Sequence, residues 1–171
     1  LIFKLNYFSN IQIYSFCSSM FFLYGYLMVY QIKTEQLLHA SIEEVWEFAS
    51  SPHNLKKITP KYMDFSIISE DLPNKIYPGM LISYMVAPVM KIKMLWVAEI
   101  TQVVEKKFFI DEQRVGPYQI WHHEHFFEIQ KNGVLMRDIV TYKLPFGFIG
   151  AFVNWLFVRR QLKSIFEYRF Q

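Results

Sequence analysis

Three stretches of alternating apolar and polar residues follow one another between Phe108 and Lys143. Only the short turn signals Gly116-Pro117-Tyr118 and Asn132-Gly133 separate them. Strands joined this tightly must pair antiparallel, because a parallel pair needs a crossover of a dozen or more residues. This run of hairpins therefore excludes a doubly wound parallel sheet.

The middle strand of this meander carries three of the five histidines within four residues. Successive strand side chains point to opposite faces of a sheet. One face carries Trp121, His123, His125, Phe127 and Ile129, and the other carries Ile120, His122, Glu124, Phe126 and Glu128. The first face is apolar apart from two imidazoles. We therefore expect it to point inward, where His123 and His125 need polar partners.

The Asn132-Gly133 dipeptide predicts a two-residue hairpin turn, because both of its residues tolerate a positive φ. In that register His125 lies opposite Val140, and His123 lies opposite Tyr142. Directly opposed residues share a face. Asp138 and Tyr142 then join the histidines on the inner face, with Asp138 diagonal to His125.

The preceding strand supplies a second carboxylate. A three-residue loop at Gly116-Pro117-Tyr118 places Asp111 opposite His123 and Gln113 opposite Trp121. An aspartate beside a histidine can fix the imidazole tautomer and raise its pKa, as a general base requires. A purely structural hydrogen bond is the alternative interpretation.

The rest of the chain predicts an α+β fold. A strand from Gln31 to His39 precedes a short helix capped by Ser41, and a second short helical piece spans Asn54 to Ile58. Further strands are expected over residues 65–69, 80–86 and 91–104, with a break near Ala87-Pro88. A long helix covers the apolar run Phe148 to Phe170. Residues that recur there at helical spacing are Phe152, Trp155, Leu156, Arg159, Leu162, Phe166 and Arg169.

Composition narrows the function. Hydrophobic residues make up 53% of the 171 residues and aromatic residues 19%, so the chain can fill a core or line a cavity. The net charge is only +3 and no cluster of Lys or Arg exceeds a pair, which argues against nucleic-acid binding. The single Cys17 excludes an intrachain disulfide and suits a reducing compartment, so we expect a cytoplasmic protein.

Residues 1–27 differ from the rest, with one charge, Lys4, and nine aromatic residues. The segment could be a secretory signal or a marginal membrane anchor, which would make the protein membrane-associated. We favour a third interpretation, in which Met28 is the natural start of the protein and residues 1–27 result from a gene start assigned too far upstream. The domain is then expected to span residues 28–171.

This order of elements resembles the START-like helix-grip superfamily, also called SRPBCC or polyketide cyclase/dehydrase-like proteins, and is most similar to a bacterial branch of it. The resemblance covers Met28 to Gln171. The residues that carry it are Ser41 to Phe48, Asn54-Leu55, Ile58-Thr59-Pro60, Pro78-Gly79, Trp96, Asp111 to Gln113, Gly116 to Tyr118, Trp121, His123, His125, Phe127, Asp138, Val140, Tyr142, Pro145 to Gly147 and Ile165 to Arg169. It implies a curved antiparallel sheet of about six or seven strands around a long C-terminal helix, with two short helices after the first strand. It also implies a cavity for an apolar ligand between sheet and helix.

We therefore expect a domain that binds an apolar small molecule or lipid, without a cofactor, a metal or nucleic acid; membrane contact is possible but not required. The expected ligand-binding residues are Trp96, Asp111, Gln113, Trp121, His123, His125, Asp138 and Tyr142. A cyclase or dehydratase that uses His123 or His125 as acid or base, oriented by Asp111 or Asp138, is the alternative. In that case these residues would be catalytic. A protein-interaction domain with a filled cavity is the third possibility.

Overall fold

The computed structural model describes residues 12–15, 28–89 and 92–169. Its strands are β1 (Gln12–Ser15), β2 (Tyr30–Leu38), β3 (Ser66–Ile67), β4 (Met80–Val89), β5 (Ile92–Val104), β6 (Phe108–Val115), β7 (Ile120–Gln130) and β8 (Gly133–Lys143). Its helices are α1 (Ile42–Ala49), two short 3₁₀ turns (Pro52–Asn54 and Lys61–Met63), and a C-terminal helix. That last helix comprises α2 (Gly147–Val153), a π turn (Asn154–Val158) and α3 (Arg159–Arg169).

All the described strands form one antiparallel sheet in the order β1-β2-β8-β7-β6-β5-β4-β3. Seven of them lie in residues 28–171 and confirm the expected α+β helix-grip fold. β1 falls within residues 1–27, which we call the leader, and pairs with β2 at the sheet edge, Ser15 opposite Tyr30. The other residues of the leader, 1–11 and 16–27, lie outside the described part.

The first helix follows the local signals in the sequence. The Ser41 side chain accepts a hydrogen bond from the Glu44 backbone, and the Glu44 carboxylate accepts one from the Ser41 backbone, which completes a capping box. Val45 and Trp46 of α1 are buried against Phe109 and Phe127 of the sheet. The helical piece expected at Asn54 to Ile58 is instead a 3₁₀ turn over Pro52–Asn54, followed by irregular turns.

Two expected boundaries were wrong. β4 does not break at Ala87-Pro88; it continues to Val89 with a register irregularity between Val86 and Val89. The β7–β8 hairpin turns at Lys131-Asn132 rather than at Asn132-Gly133, because Gln130 pairs with Gly133. Gly133 is needed inside the strand, since its φ is +144° and a Cβ there would collide with the Leu38 carbonyl oxygen of β2.

The corrected register moves every β7–β8 pair by two residues, so the side chains keep their expected faces. His125 now lies directly opposite Asp138, and His123 lies opposite Val140. The β6–β7 register is as expected, with Asp111 opposite His123. Trp121, His123, His125 and Phe127 therefore share the concave face of the sheet.

The C-terminal helix packs on that face through residues spaced by four, namely Gly150, Asn154, Val158, Leu162 and Phe166. The stripe expected from the sequence is wrong in its first half, because Phe152, Trp155, Leu156 and Arg159 are exposed. Four residues of an α-helix rotate by about 400°, which is more than one full turn. Residues spaced by four therefore move gradually around the helix, unless a turn with more residues brings them back to the same side. The π turn in the middle of the helix provides that wider turn. Gly150 allows the close contact, since a Cβ there would collide with the Pro145 carbonyl oxygen.

Candidate functional site

A cavity of about 1130 Å³ lies between the concave face of the sheet and α3. Its walls come from β2, β4 to β8, α1, the 3₁₀ region and one side of α3. The aromatic part of the wall is continuous: the Trp96 ring stacks on Tyr84 at 5.9 Å and meets the edge of Trp121 at 5.1 Å. This size and lining are typical of a pocket for an apolar molecule as large as a drug or a small lipid.

Four polar side chains form a closed ring in this apolar wall, which we call the Asp–His cluster: Asp111, His123, His125 and Asp138. His123 Nε2 lies 3.1 Å from Asp138 Oδ1, and His125 Nε2 lies 2.9 Å from Asp111 Oδ2. The other two nitrogens approach the same oxygens: His125 Nδ1 is 2.7 Å from Asp138 Oδ1, and His123 Nδ1 is 3.5 Å from Asp111 Oδ2. The two imidazoles lie against each other with ring centroids 3.7 Å apart.

Three adjacent strands bring the cluster together. Asp111 is on β6, the histidines are on β7, and Asp138 is on β8. The direct pairing of His125 with Asp138, and of Asp111 with His123, places both carboxylates at the height of the imidazoles. Phe109 covers the other side of His125 at 4.1 Å, and Phe166 of α3 meets the edge of His123 at 5.8 Å. An aromatic ring therefore packs against each imidazole of the cluster.

Burial and neighbouring charges shift the pKa values of the two histidines in opposite directions. Burial, together with the neighbouring charge of His125, lowers the pKa of His123 to about 4. Burial also opposes the charged form of His125, but hydrogen bonding to Asp111 and the proximity of Asp138 outweigh it and raise the pKa of that ring. At neutral pH His123 is therefore neutral, and His125 is the ring of the pair whose surroundings favour the charged form. The 3.5 Å separation of His123 Nδ1 from Asp111 suits a ring protonated only at Nε2.

The carboxylates are held ionised. Burial raises the pKa of Asp138, but the hydrogen bond with His123 and the close approach of the His125 ring outweigh that effect and hold the pKa well below its usual range. The pKa of Asp111 is also lowered, because the effect of burial is outweighed by the charges of His123 and His125 and by the hydrogen bond with His125. Arg169 adds to this effect, since its positive charge also favours the ionised form of Asp111.

Several buried polar atoms of the cavity wall have no hydrogen-bond partner among the described residues. They are Trp96 Nε1, Arg169 Nε and Nη1, and His125 Nδ1. The contact of His125 Nδ1 with Asp138 is short, but its direction does not suit a hydrogen bond, so we treat it as an ion pair. Buried donors without partners are uncommon because each costs about 1–3 kcal/mol. A ligand with an oxygen acceptor could satisfy Trp96 Nε1 and the two Arg169 nitrogens.

Two of the expected ligand-binding residues do not line the cavity. The Gln113 side chain folds onto the following loop, donating to the Tyr118 carbonyl at 2.6 Å and accepting from the Tyr118 amide at 3.2 Å. It thereby positions the Tyr118 ring, which does line the cavity. Tyr142 shares the face but donates its hydroxyl proton to Asn154 Oδ1 at 2.9 Å, in the contact between β8 and the π turn. The remaining six expected residues, Trp96, Asp111, Trp121, His123, His125 and Asp138, all line the cavity.

Sequence reasoning missed Tyr84, Tyr118 and Arg169, which also line the cavity. The spacing of Arg169 from Leu162 and Phe166 placed it on the helical stripe, and that is the signal that could have pointed to it. Tyr118 carried only a turn signal, and Tyr84 was one of many aromatic residues in strands. The packing of the Tyr84 ring on Trp96 depends on the β4–β5 register, which pairs these two residues.

Asp111, His123 and His125 could also hold a metal ion, since one ligand atom from each lies within 4.8 Å of the others. Two imidazoles and a carboxylate are a ligand set that zinc and iron accept. Each of these atoms already faces a partner in the Asp–His cluster, so a metal would have to replace those contacts. The expectation that no metal binds here stays a prediction.

No protein-family profile matches the chain, and neither does any curated protein sequence. Solved structures do resemble it. Ms6760 from Mycobacterium smegmatis is 17% identical with a TM-score of 0.58, over 81% of this chain and 87% of that one. TTHA0849 from Thermus thermophilus is 16% identical with a TM-score of 0.57, over 81% and 90% of the two chains. Ara h 8.0201 is 13% identical with a TM-score of 0.54, over 83% and 95%.

At these identities the likeness speaks for the fold alone. Among the described residues, no helix is long and apolar enough to cross a membrane. The chain thus has the helix-grip fold, with a large aromatic cavity and a buried Asp–His cluster in its wall.

Proposed function

We propose that this protein is a START-like carrier or receptor that binds an apolar small molecule or lipid in the cavity under α3. The cavity volume of about 1130 Å³ is the observation that carries the proposal. It also argues against the third interpretation, a protein-interaction domain whose interior is filled by its own side chains.

The ligand we infer has an apolar body and at least one oxygen acceptor, such as a carbonyl or carboxylate. The apolar body suits the rings of Trp96, Trp121 and Tyr84. The acceptor suits the Trp96 indole N–H and the Nε and Nη1 atoms of Arg169, which have no hydrogen-bond partner among the described residues. A few fixed polar groups in an apolar wall orient a ligand and give specificity.

Native mass spectrometry of the purified protein tests this proposal. We expect a bound mass that is released on denaturation and that extracts into organic solvent. Ile165→Trp places a large ring in the cavity wall and should abolish the bound mass. Ser164→Trp is the matched control, because the neighbouring Ser164 is exposed and does not line this cavity.

Loss of the bound mass in Ile165→Trp and retention in Ser164→Trp would support the proposal. A wild-type protein that carries no ligand, and that takes up a fluorescent apolar probe no better than Ile165→Trp does, would overturn it. Arg169→Met adds a test of the acceptor, since it should weaken retention while leaving the cavity open.

An acid–base enzyme is the second candidate, and the opposite pKa shifts of His123 and His125 favour it. Paired titratable groups whose environments separate their pKa values are typical of acid and base roles. The extracted ligand decides between the two functions. If wild-type protein converts it to a compound of different mass and His125→Gln does not, the protein is an enzyme. If both release it unchanged, the binding function stands.

A further inference from the structure

Large apolar side chains are exposed around the start of the C-terminal helix. Six of them are 52–79% exposed, and we call them the docking face: Phe146, Phe148, Ile149, Phe152, Trp155 and Phe157. None of them lines the cavity. The rings of Phe152 and Trp155 lie 6.1 Å apart, and exposed apolar side chains grouped in this way are typical of an interaction site.

The way the helix packs explains why this face points outward. Gly150, Asn154 and Val158 take the buried positions, so the larger side chains between them are left on the outside. Asn154 is fixed there by the hydroxyl of Tyr142. The chain thus buries a glycine and an asparagine while it exposes phenylalanine and tryptophan, and hydrophobic burial within the domain cannot account for that choice.

The charge next to the docking face has one sign. Residues 144–166 contain no Asp or Glu, and Arg159, Arg160 and Lys163 follow directly after the apolar residues. Arg159 and Arg160 are exposed and form no ion pair with the residues that the structure describes. An aromatic face bordered by exposed cations is typical of helices that lie in the interface of anionic membranes.

The start of β2 lies close to the same helix. β1 ends at Ser15, opposite Tyr30, where β2 begins. Residues 16–29, which join these strands, contain no charged residue. Tyr30 and Met28 pack in the same cluster as Val153 and Val158 of the C-terminal helix. The start of β2 therefore packs against the helix that carries the docking face.

We propose that the docking face binds the surface of an anionic lipid bilayer, with Phe148, Phe152 and Trp155 inserted and Arg159 and Arg160 at the lipid phosphates. Contact with a second copy of the chain fits less well. A two-fold pair would bring together the same surface from both molecules, and since residues 144–166 contain no Asp or Glu, this stretch of the second copy would offer Arg159 and Arg160 no acidic partner. Anionic lipid instead neutralises them. This inference is independent of what the cavity binds.

Vesicle flotation of the full chain tests the inference. We expect binding to vesicles of phosphatidylcholine mixed with phosphatidylglycerol, weaker binding to phosphatidylcholine alone, and loss of the difference at high salt. The double variant Phe152→Ser, Trp155→Ser should weaken binding by about tenfold or more, because each ring contributes apolar burial. Ile129→Ser is the matched control, since Ile129 is 70% exposed but lies on the β7–β8 hairpin.

Arg159→Glu with Arg160→Glu provides a second arm that leaves the apolar side chains intact. It should abolish the preference for phosphatidylglycerol. Wild-type protein that does not float with either vesicle would overturn the inference, as would equal flotation of wild type and the Phe152, Trp155 variant. A wild-type dimer in sedimentation equilibrium that the serine variant dissociates, without lipid binding, would assign the face to a second copy instead.

Discussion

The Asp–His cluster predicts a large stability loss for Asp138→Leu. Asp138 is 6% exposed, so water cannot replace the contacts that its carboxylate makes with His123 and His125. The lost hydrogen bond to a charged group accounts for about 1.5–3 kcal/mol. Breaking a buried charge pair by removal of one partner typically costs about 3–5 kcal/mol in all.

The expected loss of unfolding free energy is therefore about 3–5 kcal/mol, which lowers the melting temperature by about 6–20 °C in a chain of this length. Urea unfolding followed by tryptophan fluorescence measures it. Glu35→Leu is the matched control, because Glu35 accepts a 2.6 Å hydrogen bond from Arg137 on the same strand pair as Asp138, but with both side chains about 40% exposed. Such a surface pair contributes about 1 kcal/mol or less.

The same variant also shows whether the Asp–His cluster serves the stability of the sheet or the binding of a ligand. If Asp138→Leu mainly lowers the melting temperature, the cluster is a structural element of the sheet. If the melting temperature holds and ligand uptake falls, the cluster is a binding site. An Asp138→Leu protein as stable as Glu35→Leu, with unchanged ligand uptake, would refute the reasoning that a buried hydrogen-bonded ring exists here.

Three further predictions concern pH, metal and the leader. The pKa of His123 is about 4 in the folded protein, so its contribution to stability is lost as pH falls from about 6.5 towards 4. The pKa of His125 is raised, so its contribution to stability is lost as pH rises above about 6.5. The contribution of the cluster should therefore peak near pH 6.5, and an NMR titration in which both rings titrate together near 6.5 would contradict this. Elemental analysis should find no stoichiometric zinc; zinc that disappears in His125→Ala would show a metal site. A protein that begins at Met28 should melt cooperatively like the full chain even though Gln12–Ser15 pairs with β2. Aggregation of the short form alone would contradict the prediction that residues 1–27 are dispensable.

The sequence by itself determined the sheet and the faces of its strands. Strand alternation has a period of two, so Trp121, His123, His125 and Phe127 had to share one face in any register that buries the apolar side. For the same reason an error of two residues in the β7–β8 hairpin left the faces correct. The Ser41 cap was equally local, because its partners lie within four residues.

Tertiary structure alone decided which residues meet. Whether His125 lies opposite Asp138 or Val140 depended on the close approach of Gly133 to the Leu38 backbone, a contact between residues far apart in sequence. The buried side of the C-terminal helix depended on the π turn and on the Tyr142–Asn154 hydrogen bond, which helical periodicity does not contain. Contacts between elements far apart in the sequence likewise place three further residues in the cavity wall, Tyr84, Tyr118 and Arg169. A cavity is the space left between packed elements, and its lining follows from how the sheet curves around the helix rather than from any pattern along the chain.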